Sequence, residues 1–171
     1  MTTPFPDLRD LPRLYKESDK TTKIFFKNLR GRRPHDLDAV THELNELVWD
    51  HIDCLDCGNC CSKLPALVKF KDVRPLAIAL NLGDAEFMDT YTKGDKDDGE
   101  MIFKSLPCPF LEDDKCCSVY DQRPKSCTEY PHTDAKRIIK RLSFMQRDAE
   151  ICPAVWWIIE ELKVHYKDRY K

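Results

Sequence analysis

Cys54, Cys57, Cys60 and Cys61 stand together as C-x2-C-x2-C-C, the first of nine cysteines in a chain of 171 residues. A thiolate is a soft ligand suited to zinc or iron, and a C-x2-C step lets two of them reach one ion from a single tight turn. Gly58 supplies the permissive backbone that such a turn uses. A second group follows, Cys108, Cys116, Cys117 and Cys127, and Cys152 stands alone. Two chemistries compete for these thiols. Zinc takes four ligands tetrahedrally, usually from paired knuckles. An iron–sulfur cluster takes C-x2-C-x2-C plus a distant cysteine, often one followed by proline. Cys54, Cys57 and Cys60 match that triple, and Cys108-Pro109 and Cys152-Pro153 both carry the trailing proline. Cys61 follows at once, where the ferredoxin motif would leave a gap. Adjacent side chains point differently, so Cys61 is expected to serve a second metal or to bridge two.

The surroundings favour metal over the other fates of a thiol. Asp53, Asp56, Asn59 and Lys63 make the first group too polar for cysteines buried as small hydrophobes. The opening MTTPFPDLRDLPRLYKES has no apolar leader, so a cytoplasmic location is expected, where disulfides are rare. Four thiolates around a divalent ion leave a negative site, and Lys63, Lys115, Arg123 and Lys125 lie close in sequence to offset it. No apolar run is long enough to span a membrane. A net charge of -2 argues against a whole-protein nucleic-acid binder. No P-loop, dinucleotide fingerprint, G-x-S-x-G or H-E-x-x-H occurs.

The elements that must position the thiols read mostly as helix. Hydrophobic spacing predicts helices over 11–29, broken by Gly31 and Pro34, and over 36–50, with Leu37, Val40, Leu44 and Leu47/Val48 inward. Asp72 is expected to N-cap a third helix with Pro75 in its first turn and Gly83 as a left-handed C-cap. Asp84 should cap a short helix through Phe87 and Met88. Residues 93–100, KGDKDDGE, read as an exposed loop and lack the spacing of a calcium-binding EF-hand. Residues 101–103 and 117–120 are expected to be short strands. Helices over 135–147, with Ile138, Leu142 and Met145 on one face, and 153–166, with Val155, Ile158, Ile159, Leu162 and Tyr166 inward, close the chain. Trp49, Trp156 and Trp157 are expected in the core or shielding a metal. His51 and His132 are expected to be ordinary surface or supporting groups rather than ligands.

In order, C-x2-C-G-x-C-C, C-P-F-L, C-S-V-Y-D-Q-R-P and C-T-E-Y-P, with a late cysteine, resemble the CxxCxxCC family, the YkgJ-like cysteine-cluster proteins. The likeness covers about Cys54 to Cys152 and implies chelation of zinc or iron. It places the family pattern on Cys54, Cys57, Cys60, Cys61, Cys108, Cys117, Cys127 and Cys152, leaving Cys116 as an addition in the turn. Arg123-Pro124 and Tyr130-Pro131 match recurring positions, so Arg123 and Tyr130 are expected near a bound cofactor. The plainer expectations are an ion pair between Arg123 and Asp121, and packing roles for Tyr120 and Tyr130. Some larger proteins that look like this domain are flagellin lysine methylases in which an iron–sulfur cluster is implicated.

The expected fold class is mainly α: a small helical domain around an irregular cysteine-rich metal-binding centre, with at most a short β-hairpin. Residues 1–53 are expected to form a helical extension packed on the core, 54–152 the cysteine-cluster domain, and 153–171 a helix completing it. The helices over 36–50 and 153–166 should pack around a site built from both cysteine groups and Cys152. The expected function is chelation of iron, as an iron–sulfur cluster, or of Zn2+, with iron preferred. An enzyme using a cluster for methyl transfer or redox chemistry is one alternative. A metal-handling or partner-docking protein with structural zinc is the other. Lys16, Lys20, Lys23, Lys27 and Arg30 recur at helical spacing. They read as a solvated face or, more sharply, as a dock for an acidic protein partner or RNA.

Overall fold

The computed structural model describes residues 3–94 and 100–167. The chain begins with helices α1 (Leu11–Arg32), α2 (Leu37–Trp49), α3 (Cys54–Cys57), α4 (Asn59–Lys63), α5 (Phe70–Ala79) and α6 (Asp84–Tyr91). Strands β1 (Thr92–Gly94) and β2 (Met101–Phe103) pair antiparallel, Thr92 opposite Phe103. Helices α7 (Lys125–Thr128), α8 (Leu142–Asp148) and α9 (Pro153–Tyr166) complete the order. The architecture is mainly helical with one two-stranded hairpin, as the sequence leads one to expect.

Several boundaries differ from the expectation, each for a local reason. α1 runs through Gly31 and ends at Arg33, whose left-handed backbone (φ 46°) lets its N–H donate to the Leu29 carbonyl at 2.8 Å. Pro34 follows, and the residue before a proline is disfavoured in the helical region. Asp72 is not an N-cap. It lies inside the first turn of α5, where its carboxylate accepts the Lys69 N–H at 2.9 Å, so Pro75 falls within the helix. The left-handed residue after α5 is Asn81 (φ 57°), while Gly83 is extended and leads into α6. Residues 117–120 form a single bridge between Leu111 and Cys117 and then a 3-10 turn at Tyr120–Gln122, not a strand. The expected helix over 135–147 is broken. Arg137 is left-handed (φ 63°), a 3-10 turn covers Ile138–Lys140, and α8 begins at Leu142. The cause is Asp38, whose carboxylate accepts the N–H of Arg137 at 2.7 Å and of Ile138 at 2.9 Å. Lys93 and Gly94 of the expected loop belong to β1, and residues 95–99 lie outside the described residues.

Contacts divide the chain into two compact units, Met1–Asp53 with Pro131–Lys171, and Cys54–Tyr130. The first is built on α9, whose sequence PAVWWIIEELKVHY is apolar around most of its circumference and is buried accordingly. α1, α2 and α8 pack on it. Trp157 stacks on Phe5 with ring centres 4.6 Å apart, and its indole N–H donates to the Thr3 carbonyl at 2.8 Å. The Tyr166 hydroxyl donates to Asp36 at 2.9 Å and the Trp156 indole to the Ser18 hydroxyl at 3.1 Å, so these large side chains are buried with their polar atoms satisfied. Trp156 and Trp157 therefore belong to this core, and Trp49 is half-buried, donating to Asn45 at 3.2 Å.

The second unit has its own core of Val68, Val73, Leu76, Ala77, Phe87, Phe103, Phe110 and Val119. Phe103 meets Phe110 edge-on at 5.2 Å, and Tyr91 lies 5.0 Å from Phe110. Cys108 and Cys117 pack against this cluster, which is how an apolar core comes to hold two of the thiols.

Asp148, at the end of α8, offers a test of the first unit. Burial raises its carboxyl above the ordinary carboxylate range, opposed by Arg147 and His132. The folded state then holds the proton more tightly than the unfolded state. The associated stability is present below the unfolded value of 3.8 and is lost as pH rises through the raised folded value. Asp148→Asn should remove this loss. The melting temperature of the variant should therefore gain on that of the parent as pH rises above about 4, and parallel curves would refute the assignment.

Candidate metal centre

The first cysteine group is folded by one glycine. α3 and α4 are single helical turns joined by Gly58, left-handed at φ 57°. Its N–H donates to the Cys54 carbonyl, and its own carbonyl accepts the Ser62 N–H, both at 3.1 Å. A Cβ at this position would meet the Cβ of Lys115 at 3.1 Å and the Leu111 side chain at 3.4 Å. The turn that carries Lys115 therefore lies directly over the first group, and the Lys115 ammonium donates to the Asp56 carbonyl at 3.0 Å.

Backbone hydrogen bonds then bring the second group in. The Cys108 N–H donates to the Cys61 carbonyl at 2.8 Å, and the Ser118 N–H to the Phe110 carbonyl at 2.9 Å. These bonds, with the Leu111–Cys117 bridge, fix Cys108 and Cys117 beside Cys61. Cys127 sits on α7, anchored where the Ser126 hydroxyl donates to the Leu67 carbonyl at 2.7 Å.

The resulting thiols share one electrostatic neighbourhood. The sulfurs of Cys60 and Cys61 are 4.0 Å apart, and that contact, with the field of Arg123, draws the Cys61 thiol below its usual range despite burial. Adjacent cysteines are expected to diverge, yet this separation is close to the roughly 3.8 Å between two sulfurs on one tetrahedral ion with bonds of about 2.3 Å. Burial pushes Cys108 up to about 11, with the charges of Cys61 and Cys117 acting the same way. It pushes Cys127 up to about 12, again with Cys61, Cys108 and Cys117 contributing. Burial also raises Cys117, with Cys61 adding to the rise and Arg123 opposing it. Cys57 is raised by burial, opposed by the Asn59 N–H and by Lys115 and Lys63.

The remaining candidates fall in different places. Cys116 is raised by burial and by its acidic neighbours Asp114, Glu112 and Asp56. Its N–H is turned onto Asp114 at 2.9 Å. Arg123 makes no ion pair with Asp121 among the described residues. Its guanidinium lies 3.3 Å from the centre of the Tyr120 ring, its Nε–H donates to the Tyr120 carbonyl at 2.8 Å, and its field reaches Cys61 and Cys117. Tyr130 is half-buried with its hydroxyl enclosed. Cys54 is exposed at the head of α3. Cys152 is buried as the residue before α9 in the first unit, and His51 stacks on Phe5 there at 4.3 Å. Ser126, which favours the Cys127 thiolate from 4.0 Å, carries no sequence signal of its own and is found only once α7 is placed.

None of the nine cysteines is in a disulfide. Among the described residues, no three cysteine, histidine or acidic side chains are already drawn to single-ion spacing, so an ion would pull the thiols closer together. The donor set nevertheless fits a soft thiophilic metal, since half-buried thiols of raised pKa release their protons readily only to a cation.

A helical protein with this gathering of thiols is a metal-binding cysteine-cluster protein. Residues 53–153 match the CxxCxxCC family, described as "Putative zinc- or iron-chelating domain", and the chain belongs to that family. The match supports metal binding, with zinc or iron as the metal. No curated protein and no solved structure matches the chain. No helix among the described residues is long and apolar enough to cross a membrane.

The Gly58 turn is testable without metal. Gly58→Ala places a Cβ on a left-handed backbone and against Lys115. It should lower stability by about 1–2 kcal/mol, read as a reduced urea midpoint. An unchanged midpoint would mean that the turn does not require glycine.

Proposed function

We propose that residues 54–130 chelate iron, held as an iron–sulfur cluster, through thiols gathered about Cys61. The spacing of Cys54, Cys57 and Cys60 carries this reading, supported by the thiols gathered around Cys61. Cys60 is 4.0 Å away, and the Cys61 charge acts on Cys57, Cys108, Cys117 and Cys127. With Cys61 itself these make six thiols in one neighbourhood, enough for the four cysteine ligands of an iron–sulfur cluster. The spacing of Cys54, Cys57 and Cys60 matches a cluster-binding triple. Lys63, Lys115 and Arg123 supply positive field against the negative charge of a thiolate-bound centre. Arg123 serves as the cation beside the cluster.

Zinc is the second reading, favoured by one observation. Cys61, Cys108, Cys117 and Cys127 all influence one another in pairs, which is a complete four-thiolate set.

Protein purified without oxygen should contain iron and acid-labile sulfide and absorb broadly in the visible. A colourless protein with stoichiometric zinc would replace the iron reading with the zinc one, and a folded metal-free protein would overturn both. Cys61→Ser should lose most of the bound metal, whereas Cys116→Ser should retain it. Equal loss from the two variants would remove Cys61 from the centre of the site.

A further inference from the structure

A cavity of about 540 Å³ lies in the unit Met1–Asp53 with Pro131–Lys171, where the end of α1, the start of α2 and the 3-10 turn Ile138–Lys140 meet. Its lining is cationic: Arg30, Arg33, Arg137 and Lys140 all contribute. Two basic stretches, Arg30-Gly31-Arg32-Arg33 and Lys136-Arg137 with Lys140-Arg141, thus converge in a chain whose net charge is -2. The carboxylate in the lining, Asp38, is committed to the backbone N–H groups of Arg137 and Ile138 at 2.7 and 2.9 Å. Arg30 donates to a neutral partner, the Ser143 hydroxyl, at 2.8 Å. Among the described residues, Arg33, Arg137 and Lys140 make no ion pair. Four cations therefore face one space with a single carboxylate, Asp38, against them, an excess of positive charge that an anion would relieve.

Two of these arginines also occupy left-handed backbone, Arg33 at φ 46° and Arg137 at φ 63°. Glycine is the ordinary residue at the left-handed end of a helix, so the fold alone would be better served without a side chain at Arg33. Strain of this kind gathers at ligand sites. Leu37 and Ile139 supply an apolar wall, and the volume is in the range of roughly 300–1,000 Å³ usual for small-molecule sites.

We propose that this cavity binds an organic phosphate, a phosphate or diphosphate group carried on a small flat body. Arg30, Arg33, Arg137 and Lys140 hold the anion, and Leu37 and Ile139 lie against the body. Planar guanidiniums match the oxygen geometry of phosphate in pairs, and so many positive charges exceed what a lone carboxylate would use. The concave shape favours a small molecule over a strand. A polyanionic strand would instead follow Lys16, Lys20, Lys23 and Lys27, which are exposed along α1, with Lys23 already paired to Asp19 at 2.6 Å.

Calorimetric titration of the full chain with ADP, pyrophosphate and a short single-stranded RNA, at about 150 mM salt, tests this. ADP should bind saturably, with pyrophosphate competing. Arg137→Gln combined with Lys140→Gln should weaken ADP by about tenfold or more, with metal content unchanged. Arg33→Gly relaxes the backbone, so it should keep or raise the melting temperature while still weakening ADP, which keeps the test open if the double variant does not fold. Absence of ADP and pyrophosphate binding would overturn the proposal, as would ADP binding that Arg33→Gly leaves unchanged. RNA bound more tightly than ADP and lost on Lys16→Gln with Lys20→Gln would also overturn it, in favour of a strand along α1.

Discussion

The hydrogen bond from the Cys108 N–H to the Cys61 carbonyl, 2.8 Å long, holds together two cysteine groups that the sequence keeps far apart. The donor lies next to Phe110, whose ring is locked into the aromatic core by Phe103 and Tyr91. The acceptor lies on the short helix that Gly58 makes possible. An apolar cluster therefore sets where the second group sits, a left-handed turn sets where the first sits, and one peptide contact registers them. Weakening any of the three would disperse the thiols without touching a sulfur.

Half-burial follows from that registration and governs the chemistry. Cys108 and Cys127 are pushed toward the neutral thiol, and each nearby thiolate raises the next. Without a cation, the group as a whole resists ionising. With one, the same burial strengthens the attraction between metal and sulfur, because less water screens it. Lys63, Lys115 and Arg123 moderate the repulsion from outside. Arg123 does so while stacked on Tyr120, which holds its charge toward Cys61 and Cys117 instead of toward Asp121.

Much of the helical framework was legible from periodicity. α9 occupies its expected span because Pro153 suits its first position and the apolar residues that follow leave it almost no solvent face. α2 differs from expectation only at its edges, although Leu47 is exposed and Thr41 takes a buried place by donating its hydroxyl to the Leu37 carbonyl at 2.7 Å. Failures came where a distant group captured a backbone N–H. Asp38 breaks the expected helix over 135–147 from about a hundred residues away, and no local pattern encodes that. At the candidate centre, spacing singled out the first cysteine group, but not the 4.0 Å between the sulfurs of adjacent Cys60 and Cys61, which the turn after Gly58 sets. The acidic surroundings of Cys116 were partly readable from Glu112 and Asp114, though Asp56 was not.

The first unit is assembled from segments on both sides of residues 54–130, whereas the second is one uninterrupted stretch. α1 and α2 reach the ribosome's exit long before the helix they pack on exists, since α9 is made last among the described elements. Residues 54–130 have all their own core partners as soon as they emerge. Synthesis therefore proceeds with an early helical pair awaiting its partner while the thiol-bearing segment already has the whole of its own fold at hand. The order of the chain makes the unit that carries eight of the nine cysteines the first that can be finished.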